Sequence, residues 1–330
     1  MRESKRPRPP HRFDLHPVAP FRLDLTAWAL RRRPHNAIDR WDGDVYRRTL
    51  ALTQDVAEVD VRQTGPADSP RLAVSVMTEL PERQARREVT AALRRMLGLG
   101  VDLGDFYRRA ERDPHLRPLA GRFRGLKPPR FPSMFECLTN AIACQQLTLT
   151  VGIELLNRLA ERHGRIAAGA GPPPAHAFPD PTDLAAVDPD GVRDLGFSIA
   201  KAHALLGLAT GISGGGLDLE RLSAAGDDEA SGVLQELRGI GRWSAEYALL
   251  RGLGRLSVFP ADDVGARNNL RRLLGLDADA GYDAIRRAVA PWSPDAGLVY
   301  FHLLLDHIDT AGWLDDMARS GPATASTSPP

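Results

Sequence analysis

The sequence predicts a chain in two parts. An α+β N-terminal domain, a small antiparallel sheet with helices, precedes an all-α helical bundle. Three observations carry this. Apolar residues recur at every second position in short stretches before residue 80. After residue 116 that alternation is gone and the apolar period is near 3.6. At 330 residues the chain is long enough for about two domains.

Residues 1–12 form a basic, proline-rich stretch, expected to be a disordered tail. Phe21, Leu23 and Leu25 then alternate with polar residues, as do Ala57, Val59 and Val61, and Leu72, Val74 and Val76. All three read as strands. A short helix is expected around Ala27–Arg33 and a longer one over 81–97, closing an α+β unit over 13–115. Helical periodicity follows over about 133–149, 150–163, 190–196, 199–211, 231–237, 242–253, 263–274, 282–290 and 295–309. The separators are rich in glycine and proline: GAGPPP at 169–174, SGGG at 213–216 and GIG at 239–241. These helices make the domain 116–318, and RSGPATASTSPP at 319–330 reads as a second tail.

Composition removes several function classes. With 43% apolar and 26% charged residues the chain has an ordinary soluble, globular mix. No run of ~18 apolar residues offers a membrane span, and no apolar stretch behind the basic start offers a secretory signal. Cys137 and Cys144, the two cysteines, are too few for a four-cysteine zinc or iron–sulfur site. A cytoplasmic protein with reduced thiols is expected. The histidines show no metal-ligating spacing, and Ser213–Gly216 lacks the lysine of a phosphate loop, so neither metal nor cofactor is expected. Net charge is +1, so any anion-binding surface must be local. Lys5, Lys127 and Lys201 are the three lysines among 43 basic residues. Arginine suits phosphate, although a coding bias explains the overall excess equally well.

The most informative stretch runs from Val233 to Tyr247. A helix should end at Leu237 and another begin near Arg242. Gly239 and Gly241 bracket Ile240, which would anchor the turn in the core. Two glycines so placed permit a tight turn and close approach of another molecule. The N–H groups at the start of the second helix favour an anion such as phosphate. In isolation the five residues equally describe a glycine-capped helix connection. About twenty residues on, Pro260 and the Asp262–Asp263 pair precede another helical run. Asp263 there is an ordinary N-cap. A carboxylate so fixed at a cleft also has the chemistry to stabilise a sugar cation or to activate water.

The hairpin, the Gly/Pro-containing loop and the aspartate together resemble the helix-hairpin-helix/Gly-Pro-Asp DNA glycosylase superfamily. Within it the sequence is most similar to the DNA-3-methyladenine glycosylase II group. The resemblance spans roughly 18–312 and includes Phe135-Glu136, Ala141-Ile142, Gln145-Gln146, Leu195-Gly-Phe with Lys201-Ala, Gly241–Tyr247 and Pro291-Trp292. It implies a DNA glycosylase bundle and removal of alkylated bases such as 3-methyladenine and other N-alkylpurines. Asp263 would be the catalytic residue, and Trp243, Tyr247, Trp292 and Trp28 would wall the base pocket. Gly239, Ile240, Gly241, Arg242, Ser244 and Arg267 would meet DNA together with Gln145, Gln146 and Leu147. Gln146 or Leu147 would fill the gap left by an extruded nucleotide. In the glycosylase/lyases of the superfamily a lysine follows the Gly-x-Gly-Arg string. Here that residue is Trp243, and no cysteine follows Cys144. Both departures imply a monofunctional, cluster-free hydrolase. Val264 stands where close relatives carry an aromatic residue. The expected partner is double-stranded DNA containing damaged bases, met by a nucleoid-associated monomer and no membrane. Alternatives are a glycosylase for oxidised or deaminated purines and a non-catalytic helix-hairpin-helix damage-binding protein.

Overall fold

The structure, a computed structural model, describes residues 9–167 and 174–316. Most of the two tails, and the separator at 169–173, lie outside the described residues. The N-terminal part holds β1 (His11–Leu15), α1 (Leu23–Arg31), β2 (Arg40–Trp41), β3 (Val45–Ala51), β4 (Val56–Gln63) and β5 (Leu72–Met77), then α2 (Glu82–Met96), α3 (Gly104–Ala110) and α4 (Leu116–Arg122). The strands form one antiparallel sheet in the order β1-β5-β4-β3-β2. Alternation in β4 and β5 works as read: Ala57, Val59, Val61, Leu72, Val74 and Val76 are all buried. Two stretches differ from the sequence reading. His11 and Arg12 belong to edge strand β1 rather than to the tail, and Leu23 and Leu25 lie in α1. Two-residue spacing over so few positions does not separate a strand from the buried face of a helix.

The helical part runs α5 (Met134–Cys144), α6 (Leu149–His163), α7 (Pro181–Leu184), α8 (Pro189–Arg193), α9 (Ile199–Ser213), α10 (Asp227–Gln235), α11 (Arg242–Ala248), α12 (Val264–Leu274), α13 (Tyr282–Val289), α14 (Ala296–Thr310) and α15 (Trp313–Asp316). Side-chain caps start several of them: Ser133, Thr148, Ser198 and Asp263 each accept a first-turn N–H. After α11 the chain makes one π-helical turn, Leu249–Leu253. Among the described residues no helix is long and apolar enough to cross a membrane.

Packing does not divide at residue 116. One core joins the sheet and α1–α4 to α12, α13 and α14, through residues such as Phe123, Leu270, Ile285 and Phe301. A second core gathers α5, α6 and α9–α11 around Leu138, Leu156, Leu205 and Tyr247. The chain thus crosses back to its N-terminal half after residue 258, a long-range return that local periodicity cannot report. A buried ionic network links the halves. Arg48 on β3 pairs with Asp39 at 2.6 Å and with Glu136 on α5, and the Tyr46 hydroxyl donates to Asp39 at 2.6 Å. All four residues are buried. Such a network adds little net stability, but removing one member strands a charge and costs ~3–5 kcal/mol.

His302 on α14 is buried against Phe106 and Phe123, with ring centroids 5.0 and 6.4 Å away. Its Nδ1–H donates to the Leu298 carbonyl at 2.8 Å, and Nε2 has no partner. Burial pushes the imidazole down to about 4. The unfolded chain therefore takes up this proton between pH ~6.5 and about 4 while the folded chain does not. Stability should fall as pH drops through that window, by up to ~3 kcal/mol from this group alone. Urea unfolding of His302→Leu at pH 7 and pH 4 should show a correspondingly shallower loss. An equal pH dependence in both proteins would contradict the assignment.

Candidate active site

The site lies on the seam between the two cores. Between α10 and α11 the chain turns through Gly239, whose φ is +80°. A Cβ there would also sit 2.8 Å from the Cβ of Ala204, so both backbone and space require glycine. Ile240 is buried and anchors the turn. Gly241 starts α11 with no side-chain cap, and the space where its Cβ would point is open. The first N–H groups of α11 have no intrahelical acceptor and no side-chain cap at Gly241.

The turn aims α11 so that Trp243 and Tyr247 line one cavity of about 900 Å³. Their rings lie 5.5 Å apart, tilted by 33°. Asp263, the N-cap of α12, stands at the same cavity. Its Oδ1 accepts the Ala266 N–H at 2.8 Å. Its Oδ2 accepts from Trp243 Nε1 at 3.3 Å and from the Tyr300 hydroxyl at 3.2 Å. Three donors from three helices thus fix one half-buried carboxylate. Burial, and then the facing Asp263 charge, push the Tyr300 phenol well above its usual range, so it remains a donor. The loop that delivers Asp263 is clamped from beneath. Buried Glu246 accepts the Ala261 N–H at 3.1 Å and the Tyr282 hydroxyl at 2.5 Å.

Leu147, Leu149, Val264, Ala266 and Leu304 complete a largely apolar lining, and Arg32 supplies a cation at the wall. Arg32, the left-handed C-cap of α1, is buried and donates from Nη1 to Asn140 Oδ1 at 3.2 Å and to the Tyr247 hydroxyl at 3.1 Å. Burial works against its charge, and Tyr247, Cys144, Tyr300 and Asp39 more than offset that, so the guanidinium stays protonated. Gln146 and Leu147 stand exposed at the rim, Gln146 with φ +55° and Leu147 43% accessible.

Several expected site residues sit elsewhere. Trp292 does not line the pocket; it is buried in the N-terminal core and donates to Asp113 at 2.7 Å. Trp28 lines a separate cavity of about 330 Å³ beside Trp41 and Phe123. Ser244 is buried and receives a bond from Gln145 at 2.8 Å, so it cannot meet DNA directly. Gln145 Nε2 donates to Ser244 and to the Gly239 carbonyl, so that nitrogen ties the rim to the hairpin. Arg242 pairs with Asp262 at 2.6 Å and stacks 3.7 Å from the Tyr282 ring, so its charge is already engaged. Arg267 lies in the first turns of α12, half-buried, and does not line the cavity. Tyr300 and Arg32 escaped sequence reading. A phenol in the apolar first turns of its helix was the available signal for the first, whereas Arg32 is hidden in a run of three arginines.

This geometry can be set against known proteins. The model for the HhH-GPD superfamily base excision DNA repair protein matches residues 139–294, and that for the AlkA N-terminal domain matches 12–133. The chain belongs to the HhH-GPD superfamily. It is a base excision DNA repair protein. The DNA-3-methyladenine glycosylase of Bacillus subtilis (strain 168) is 29% identical over 67% of this chain and 73% of its own length. DNA-3-methyladenine glycosylase 2 of Escherichia coli (strain K12) is 32% identical over 59% and 64%. Among solved structures, the 3-methyladenine DNA-glycosylase from Archaeoglobus fulgidus superimposes with a TM-score of 0.78 at 25% identity, covering 91% of this chain and 98% of that one. As in the rest of the superfamily match, the hairpin and Asp263 both fall inside the matched region.

Tyr300→Phe removes one of three donors to the carboxylate without changing shape. Single-turnover base excision should fall about tenfold or more, since a hydrogen bond to a charged group is worth ~1.5–3 kcal/mol, while the far-ultraviolet circular dichroism stays that of the folded wild type. Undiminished excision would remove Tyr300 from the support of Asp263.

Proposed function

We propose that the chain excises alkylated purines from duplex DNA by hydrolysis, with Asp263 beside the anomeric carbon of an extruded nucleotide and no covalent amine intermediate. The broad class is that of a DNA glycosylase acting on alkylated bases in base excision repair. The observation that carries the mechanism is the Asp263 carboxylate, held by Ala266, Trp243 and Tyr300 at the edge of an apolar pocket.

A purine alkylated at N3 or N7 is cationic and already a good leaving group. It needs little acid catalysis. What the enzyme must supply is extrusion, a wall for the base and stabilisation of the sugar cation. Extrusion costs a few kcal/mol and is cheapest for damaged bases. The Trp243 face offers stacking and ~0.5–2 kcal/mol of cation–π attraction. As the glycosidic bond lengthens, positive charge grows on the sugar, and the preoriented Asp263 meets it with no reorganisation. The same oxygen atoms can accept the proton of the attacking water. Exposed Gln146 or Leu147 fills the vacated stack, and the hairpin backbone from Gly239 to Gly241 meets phosphate. The chain engages DNA as a monomer.

Lyase chemistry needs an amine at the sugar. Among the described residues no lysine lines the pocket. Lys127 is buried, donates to the Val101 carbonyl and is lowered to about 8 by burial, but it lies beside Thr26 and Gly98 and does not line the cavity. Lys201 is bonded to backbone carbonyls at 2.7 and 3.0 Å. A second reading, excision of deaminated or oxidised purines, is favoured by buried Arg32, whose donors suit a base edge rich in acceptors and whose charge repels a cationic one.

Mass spectrometry of bases freed from methylated genomic DNA tests the first reading. It should show 3-methyladenine and other N-alkylpurines, and release of hypoxanthine or oxidised purines alone would favour the second. Asp263→Asn should lose about two or more orders of magnitude in base release and still bind DNA. No strand scission should accompany release by the wild type. Scission through a borohydride-trappable adduct would sink the monofunctional mechanism.

A further inference from the structure

The Leu195-Gly-Phe…Lys201-Ala string is unused by the mechanism above, and the structure shows what it touches. Ser198 caps α9 by accepting the Lys201 N–H at 3.3 Å. That cap sets the direction of the first turn, and the Lys201 side chain runs from it to the C-terminal end of α5. There Nζ donates to the carbonyls of Ala143 at 3.0 Å and Gln145 at 2.7 Å. Ala143 stands in the last turn of α5, where carbonyls lack intrahelical partners and the helix dipole favours a cation. The ammonium meets both needs at once.

The segment so held is the pocket rim. Gln145 is fixed by its carbonyl to Lys201 and by its amide to Gly239 and Ser244 of the hairpin. On the far side Thr148 caps α6. Gly152 brings α6 against Cys144 so closely that a Cβ would lie 2.6 Å from its Sγ. Between these anchors Gln146 takes a left-handed conformation, which a non-glycine residue adopts only when its surroundings compel it. The result is that Leu147, a large apolar side chain, is displayed to solvent at the mouth of the cavity.

We infer that Lys201 is a positioning residue for nucleotide extrusion: by tying the end of α5 to α9 it holds the Gln146–Leu147 rim in the shape that enters the vacated base stack. This rests on the glycosylase reading above. Lys201 touches neither the sugar nor Asp263, so its contribution belongs to extrusion and not to bond cleavage. Two consequences follow. Loss of the cation should matter where the lesion is stacked and paired, and matter little where the lesion is already unstacked.

The experiment compares single-turnover excision of one alkylated purine in a fully paired duplex and in a single-nucleotide bulge. Lys201→Met, which keeps the length and removes the charge, should slow the paired substrate about tenfold or more and the bulge by about threefold at most, because unpaired bases are cheapest to extrude. Lys201→Arg should restore the paired rate to within about threefold of wild type. Asp263→Asn, as the comparison, should slow both substrates alike. Equal losses on the two substrates for Lys201→Met, or none on either, would overturn the inference. Should Lys201→Met fail to fold, Lys201→Gln takes its place in the same comparison. If the wild type releases no base from either duplex, the glycosylase reading fails first and this inference with it.

Discussion

A carboxylate can act on a growing positive charge only if its orientation is settled before the charge appears. In this protein the settlement comes from three donors on three different helices. The Ala266 N–H belongs to the helix that Asp263 itself caps, Trp243 to the helix after the hairpin, and Tyr300 to the last long helix. An N-cap bond alone fixes one oxygen and leaves the other free to rotate into water. The indole and the phenol take the second oxygen, and they can do so only because the two cores meet along this seam.

Holding the seam together requires cations in unusual places. Arg251 is fully buried within the π-helical turn; it donates to the Ala29 carbonyl at 2.9 Å and lies 5.0, 5.6 and 5.5 Å from the rings of Phe131, Tyr247 and Phe301. No carboxylate answers it among its described hydrogen bonds and ion pairs. Aromatic faces take over part of the role of water for such a group. Within the turn Gly252 packs where a Cβ would strike Met134 Sδ, so α5 can approach it closely. Arg251 thereby pins α1 to the underside of Tyr247, while Arg32, at the end of α1, bonds the Tyr247 hydroxyl. One tyrosine is held from its face and from its tip by two guanidinium groups.

The acidic residue beside Asp263 has a different task. Asp262 takes up Arg242, and Tyr282 lies under that guanidinium while bonding Glu246. Burial and then the bond to Glu246 raise the Tyr282 phenol to about 12, so it stays a donor throughout the physiological range. This cluster fastens the hairpin helix to the loop ahead of Asp263. Two adjacent aspartates are thus separated in function by what each faces: a cation at the surface for one, two aromatic donors at the cavity for the other.

Much of this was legible in the amino-acid order because its causes are local. Glycines at 239 and 241, an aspartate that caps a helix, and tryptophan and tyrosine four apart on one helical face all act through neighbours in sequence, and the structure brings Trp243, Tyr247 and Asp263 to one cavity. Superfamily and sheet-plus-bundle architecture followed from the same signals. Residues whose role depends on a distant element were not legible. Trp292 follows an expected motif and Trp28 is placed only by the resemblance, yet each faces another part of the core because the return of α12–α14 onto the sheet decides which side of the helix is inside. Tyr300 owes its position to that same return, whereas Arg32 owes its own to contacts with α5 and α11 and Lys201 to the end of α5. Periodicity tells which residues are buried on a helix; only the meeting of two cores decides which of them look into the space between.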